Sequence, residues 1–344
     1  MTPKQTVIDA VNHAETDVIP YILSIDADVR ERLYAHYGGP EKFPKHESFF
    51  ASAGCNWRAE ELSGDLFRDI FGVVWHQGKT FHITEPVLKE PSLRGFEFPE
   101  VVKDEDLPRL EKVCDDHQDK FLQFSLGLLF WERAWALRGM ENILMDLVAE
   151  EAFAEELFDN LMQLHLDALD KVLPLPFDSI RFGDDFGAQK GTIMGQTYWR
   201  KYLKPRLAKM YGKARDAGKI VSIHSCGDNS EILGDLIDIG VQIFNPSQPE
   251  ANDLPALKKE YGPSITFEGG IGTQVTLPRG TPDQVRDEIR RCREQLGQGG
   301  GLVLTTTKPL RPEVPTENAV AAVETIIEEA RKGSPSPIAR HEAG

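Results

Sequence analysis

The sequence predicts a single (β/α)8 barrel with its chemistry at the C-terminal ends of the strands. Three observations carry that expectation. The second half alternates short β-rich runs with helical runs five times in succession, which calls for a parallel sheet covered by helices. Run starts near residues 18, 54, 120, 178, 219, 241, 264 and 301 supply eight strands, the number that closes a barrel. No G-x-G-x-x-G follows the first strand, which counts against the doubly wound open sheet that is the runner-up.

The elements follow in order. Val18 to Leu23 reads as the first strand, with a helix from Asp26 to Tyr37 after it. Gly54 to Ala59 reads as the second strand. The run FGVVWHQGKTFHIT reads as an inserted hairpin turning near Gln77–Gly78. Lys120 to Leu126 is the third strand, and Glu141 to Leu173 is one long or two short helices. FDSIRF (177–182) is the fourth strand, ending on the turn-like GDDFG. The next helix stops at Gly218, and Pro205 inside it should kink or restart it. KIVSIH, GVQIFN, SITFEG and GLVLTT are strands five to eight. Their helices open at Asn229 or Ser230, near Asn252, at Thr281 with Pro282 in the first turn, and at Thr316. Residues 1–332 are expected to form one domain, and the tail GSPSPIARHEAG (333–344) to be disordered.

Composition narrows the function classes. The chain is 40% hydrophobic and 27% charged, an ordinary globular balance. Its formal net charge is −16, which repels phosphate backbones and argues against nucleic acid as a partner. The longest apolar stretch, Phe121 to Leu137, is interrupted by Gln123, Ser125, Glu132 and Arg133, so it should not span a bilayer. The N-terminus is charged and amphipathic, unlike a signal peptide, and Cys55, Cys114, Cys226 and Cys292 are too scattered for a disulfide framework. A cytoplasmic protein is the simpler expectation.

In a barrel, chemistry gathers where strands hand over to helices. His224-Ser225-Cys226 ends the fifth strand, and an imidazole and a thiolate two residues apart can reach one zinc ion. A buried cysteine beside a backbone-satisfied histidine is the competing reading. Asp184 and Asp185 follow the fourth strand as candidate acid, base or ligand, with turn formation as the alternative. Glu268 and Lys308, after strands seven and eight, complete the catalytic candidates. Trp131, Glu132 and Arg133 after the third strand, with Asn245, Gln248 and Gln274 after the sixth and seventh, are the candidate substrate-binding residues.

The segments GDDFGAQKG, YLKPRLAKM, HSCGDNSEIL, GVQIFNPSQPEAND and FEGGIGTQ together resemble the uroporphyrinogen decarboxylase superfamily over roughly residues 120 to 330. FWERAWALRGMENILMDL resembles its corrinoid-dependent methyltransferase and O-demethylase branch. The resemblance implies the same barrel fold. It also implies zinc held by His224 and Cys226 with a later cysteine near Thr305 to Lys308. No cysteine stands there, and Cys292 lies in the preceding helix, which leaves Asp185 and Glu268 as candidates to complete the site. The decarboxylases grip carboxylates with an R-Q-A-G-R motif after the first strand, where this chain reads IPYILSIDADVRER.

No D-x-H-x-x-G corrinoid signature occurs, so the branch implies a corrinoid carried by a separate protein. Its partners would be that protein and a small-molecule methyl donor, with a homodimer left open. A methyltransferase, a uroporphyrinogen decarboxylase-like lyase and a ligand-binding barrel without turnover are the three readings the sequence carries forward.

Overall fold

In this computed structural model, residues 1–78, 81–128 and 130–335 are described. Eight parallel strands form one sheet: β1 (Tyr21–Ile22), β2 (Phe50–Gly54), β7 (Phe121–Leu128), β8 (Ser179–Gly183), β9 (Ile220–His224), β10 (Ile243–Asn245), β11 (Thr266–Ile271) and β12 (Leu302–Thr306). Four more, β3 (Arg58–Glu61), β4 (Leu66–Asp69), β5 (Val74–Gln77) and β6 (Phe81–Ile83), form a separate antiparallel sheet.

The large sheet runs β1-β12-β11-β10-β9-β8-β7-β2, so each later strand is laid beside its predecessor and β12 returns to β1. This is the expected (β/α)8 barrel. Its ladder stays open between β1 and β2. There Tyr21 spans the seam, its ring edge-on to Phe49 at 5.2 Å and its hydroxyl accepting from the Glu47 amide at 2.8 Å. The strands of the second half are buried on both faces, as parallel strands under helices must be, and β11 and β12 are buried throughout.

Two parts of the first half differ from expectation. The second barrel strand is Phe50–Gly54, four residues earlier than predicted, and residues 58–61 already belong to the insertion. Small residues dominate FASAG, so its apolar signal is weak, although β2 pairs with β7 over five residues. The predicted hairpin is present as the antiparallel pair β5 and β6, but the insertion is larger, since β3 and β4 extend it to four strands. Its outer strand β3 is exposed at every position and has no apolar face to announce it.

Helix boundaries follow local chemistry. Thr281 caps the helix Pro282–Leu296 with a full capping box to Gln284. Asn229 caps by position, but the Asp228 carboxylate accepts the Ser230 amide at 3.0 Å. Pro205 restarts a helix: a π turn over Trp199–Leu203 precedes the regular helix Lys204–Asp216. In the predicted tail, the Ser334 amide bonds the Thr16 carbonyl at 2.9 Å, while residues 336–344 lie outside the described residues. Among the described residues, no helix is long and apolar enough to cross a membrane.

Candidate active site and metal centre

The strand ends after β8 and β9 are brought together by backbone contact. A Cβ at Gly187 would lie 2.7 Å from the Cys226 carbonyl oxygen and the Asp228 amide. A Cβ at Gly227, which sits at φ +81°, would lie 2.4 Å from the Gly187 carbonyl. The glycines of GDDFG and SCGD are therefore required for the two loops to touch. Asn229, fully buried, knots the second loop by donating to the carbonyls of Ser225, Cys226 and Gly227.

This contact converges Asp185, His224 and Cys226, whose ligand atoms lie within 4.8 Å of one another. The Cys226 sulfur is 3.5 Å from His224 Nε2, and Nε2 is 3.8 Å from Asp185 Oδ1. The Asp185 carboxylate also accepts the Cys226 amide at 2.7 Å, fixing one ligand against the other. Tetrahedral zinc with ordinary Zn–S and Zn–N bonds needs an S···N edge of about 3.5 Å. One sulfur, one nitrogen and one oxygen at this spacing fit zinc and leave a fourth position for substrate. Burial, with the Asp185 charge beside it, pushes the Cys226 thiol up to about 12, so a bound cation would be needed to hold the thiolate. The Lys308 ammonium stands near the same sulfur, and its charge opposes that shift.

Beneath the cluster runs a hydrogen-bond chain. His224 Nδ1 donates to Asn245 Oδ1, leaving the Nε2 lone pair facing the site. Burial lowers the His224 pKa and favours this neutral ring. Asn245 Nδ2 donates to Glu268 Oε1 at 2.8 Å, and Arg181 pairs with Glu268 Oε2. Arg181 also reaches Ser222 at 3.2 Å. The chain crosses the barrel interior from β9 to β10, β11 and β8. Glu268, a candidate third ligand in the sequence, thus has both oxygens engaged here and stands behind the ligands rather than among them. Asn245 likewise stands behind His224.

The remaining predicted residues divide in two. Asp185, Gln248, Gln274 and Lys308 line a cleft of about 570 Å³ at the barrel mouth, together with Cys226. Asp184 does not reach it. Its carboxylate is 2% exposed and accepts the Trp131 and Glu132 amides at 2.8 and 2.7 Å, capping the helix Trp131–Arg138. Burial raises its pKa, while those two amides draw it back down. Trp131 and Arg133 are 0% and 1% exposed, so they face the interior and not the cleft, contrary to their reading as substrate contacts.

Glu132 alone of that trio looks toward the donor cluster. Burial beside Asp185 and Asp184 raises its pKa well above the ordinary glutamate value. Sequence reasoning missed Arg181, Arg279 and Arg311. Arg181 was marked only by being the charged member of an apolar strand, and the other two lie beyond the strand ends, Arg279 closing a short helix and Arg311 on a loop, with no distinctive pattern.

The fold and site define a (β/α)8 barrel with an Asp/His/Cys donor cluster at its mouth. The profile of the uroporphyrinogen decarboxylase (URO-D) family matches residues 131–329, and the chain belongs to that family. No curated protein matches the sequence. Among solved structures, a methyltransferase from Methanosarcina mazei superposes with a TM-score of 0.69 over 95% of this chain and 99% of its own, at 16% identity. At that identity the likeness concerns the fold.

Proposed function

We propose that this chain is a methyltransferase that takes a methyl group from a methoxylated or methylated small molecule and passes it to a corrinoid carried by a separate protein. The observation that carries the reading is the convergence of Asp185, His224 and Cys226 on one point, beside the cleft that Asp185 and Cys226 line. Membership of the URO-D family, and a structural neighbour named as a methyltransferase, support it.

Zinc held by these three side chains would act as a Lewis acid on the heteroatom that bears the methyl group. The chain's own residues do the rest. When the methyl–heteroatom bond breaks, the heteroatom keeps the bonding electrons and must be neutralised. Glu132, whose pKa is raised by burial and by Asp185 and Asp184, is the proposed donor of that proton. Asn245 holds the His224 ring in one tautomer, and Gln248 and Gln274 offer neutral polar contacts to the substrate.

Elemental analysis of purified protein tests the proposal. One zinc per chain is expected, falling to a small fraction in Cys226→Ser, together with methyl transfer from a methoxylated donor to free cob(I)alamin. Metal-free protein that decarboxylates uroporphyrinogen would overturn it, as would zinc retained in full by the serine variant.

A further inference from the structure

We infer that the cleft takes an anionic substrate, a small methylated or methoxylated carboxylate or sulfonate whose charged end is held by Arg279 and Arg311. This deepens the proposed methyl transfer and rests on that reading for the methyl group alone.

The charge of the cleft runs against that of the chain. The whole sequence carries a net charge of −16, yet three cations line the cleft, Lys308, Arg279 and Arg311, against two carboxylates, Asp185 and Glu313. Asp185 belongs to the donor cluster, and Lys308 stands beside Cys226. Neither Arg279 nor Arg311 makes a side-chain hydrogen bond or ion pair among the described residues. Two guanidinium groups at one cleft, both without a partner, present fork-shaped donors that match a carboxylate or sulfonate.

Both arginines also stand on pinned backbone. Arg279 ends the short helix Thr276–Arg279, and buried Asn318 donates to the carbonyls of Leu277 and Gly280 on either side of it. Arg311 follows Leu310, whose amide bonds the Ser24 carbonyl at 2.8 Å. Arg32 then clamps the same loop through the carbonyls of Pro312 and Val314. A guanidinium on a fixed loop loses less freedom when it binds.

Position gives the substrate its orientation. Asp185 and Cys226 come from the loops after β8 and β9, and Arg279 and Arg311 from those after β11 and β12. A molecule lying across the mouth would put its anion on the arginine wall and its methyl-bearing heteroatom at the donor cluster. A cleft of about 570 Å³ admits a substituted ring or a short chain in that pose.

Calorimetry on metal-loaded protein tests this with matched pairs: 4-methoxybenzoate and 4-methoxybenzenesulfonate against neutral 4-methoxybenzamide, and methoxyacetate against methoxyacetamide. At least one anion should bind about tenfold or more tightly than its neutral partner, with the preference shrinking as salt rises. It should fall severalfold in Arg279→Gln or Arg311→Gln and vanish in the double variant, while metal content stays unchanged. Equal binding within every pair, absence of binding by all probes, or a preference that survives the double change would overturn the inference. Methyl transfer to cob(I)alamin is scored separately. A chain that transfers methyl without anion preference fails only here, and one that prefers anions without transferring methyl fails only the earlier proposal.

Discussion

At the scale of single residues, the least replaceable groups behind the donor cluster are the ones that touch no substrate. Asn245 decides which nitrogen of His224 carries the proton, and Glu268 decides which way the Asn245 amide is turned. Outer partners of this kind typically govern metal affinity by about 10- to 100-fold. Asn245→Leu and Glu268→Gln should therefore weaken zinc binding by that order in competition with a chromophoric chelator, with circular dichroism unchanged. Unaltered affinity in both variants would show that the chain of bonds does not orient His224. The His224–Cys226 pair was legible in the sequence because two residues on one strand end must be close. The partnership of Arg181 with Glu268 was not, since 87 positions separate them and only strand order in the barrel sheet reveals it.

At the scale of elements, the inserted sheet is fastened to the barrel by one buried ion pair. Asp69 of β4 accepts from the Phe71 and Val73 amides and the Trp75 indole, and it pairs with Arg133 at 2.5 Å. The Arg133 guanidinium lies 4.0 Å from the Phe71 ring centre. Removing either partner strands a buried charge, which costs about 3–5 kcal/mol. Asp69→Ala and Arg133→Met should each lower the urea midpoint accordingly, and the double variant should lose clearly less than the two losses combined. Strict additivity would sink the idea that the pair acts as one fastener. The sequence showed Arg133 as a charged residue near a strand end, which is also what a substrate contact looks like. Burial separates the two readings, and burial depended on an insertion whose exposed outer strand carries no periodic signal.

At the scale of the whole molecule, the repeating second half was legible because each strand and helix there carries its own turn or cap, as at Thr281 and Gly218. A source of acid sensitivity lies just ahead of that half, in the helix Glu151–Val172. His165 is 2% exposed, wedged between Phe130 and Phe182, with Nδ1 bonded to the Leu161 carbonyl. Burial lowers its pKa from 6.5 to about 4. The unfolded chain therefore binds a proton that the folded chain refuses. The stability tied to this neutral ring is complete above pH 6.5 and is lost as the pH falls toward 4, by about 3 kcal/mol. In His165→Phe, urea midpoints measured at pH 7 and pH 4.5 should differ less than in the parent protein. An unchanged pH slope would mean that other groups carry the acid response.

The contact between Gly187 and Gly227 bears on how the site comes into being. Because the two ligand-bearing loops already meet backbone to backbone, with the Asp185 carboxylate fastened to the Cys226 amide, the three donors are assembled when the barrel folds. The entropy of gathering them belongs to folding and would not be left to the arrival of an ion. Such a site would select a metal by a fixed spacing rather than by closing around whichever cation comes first.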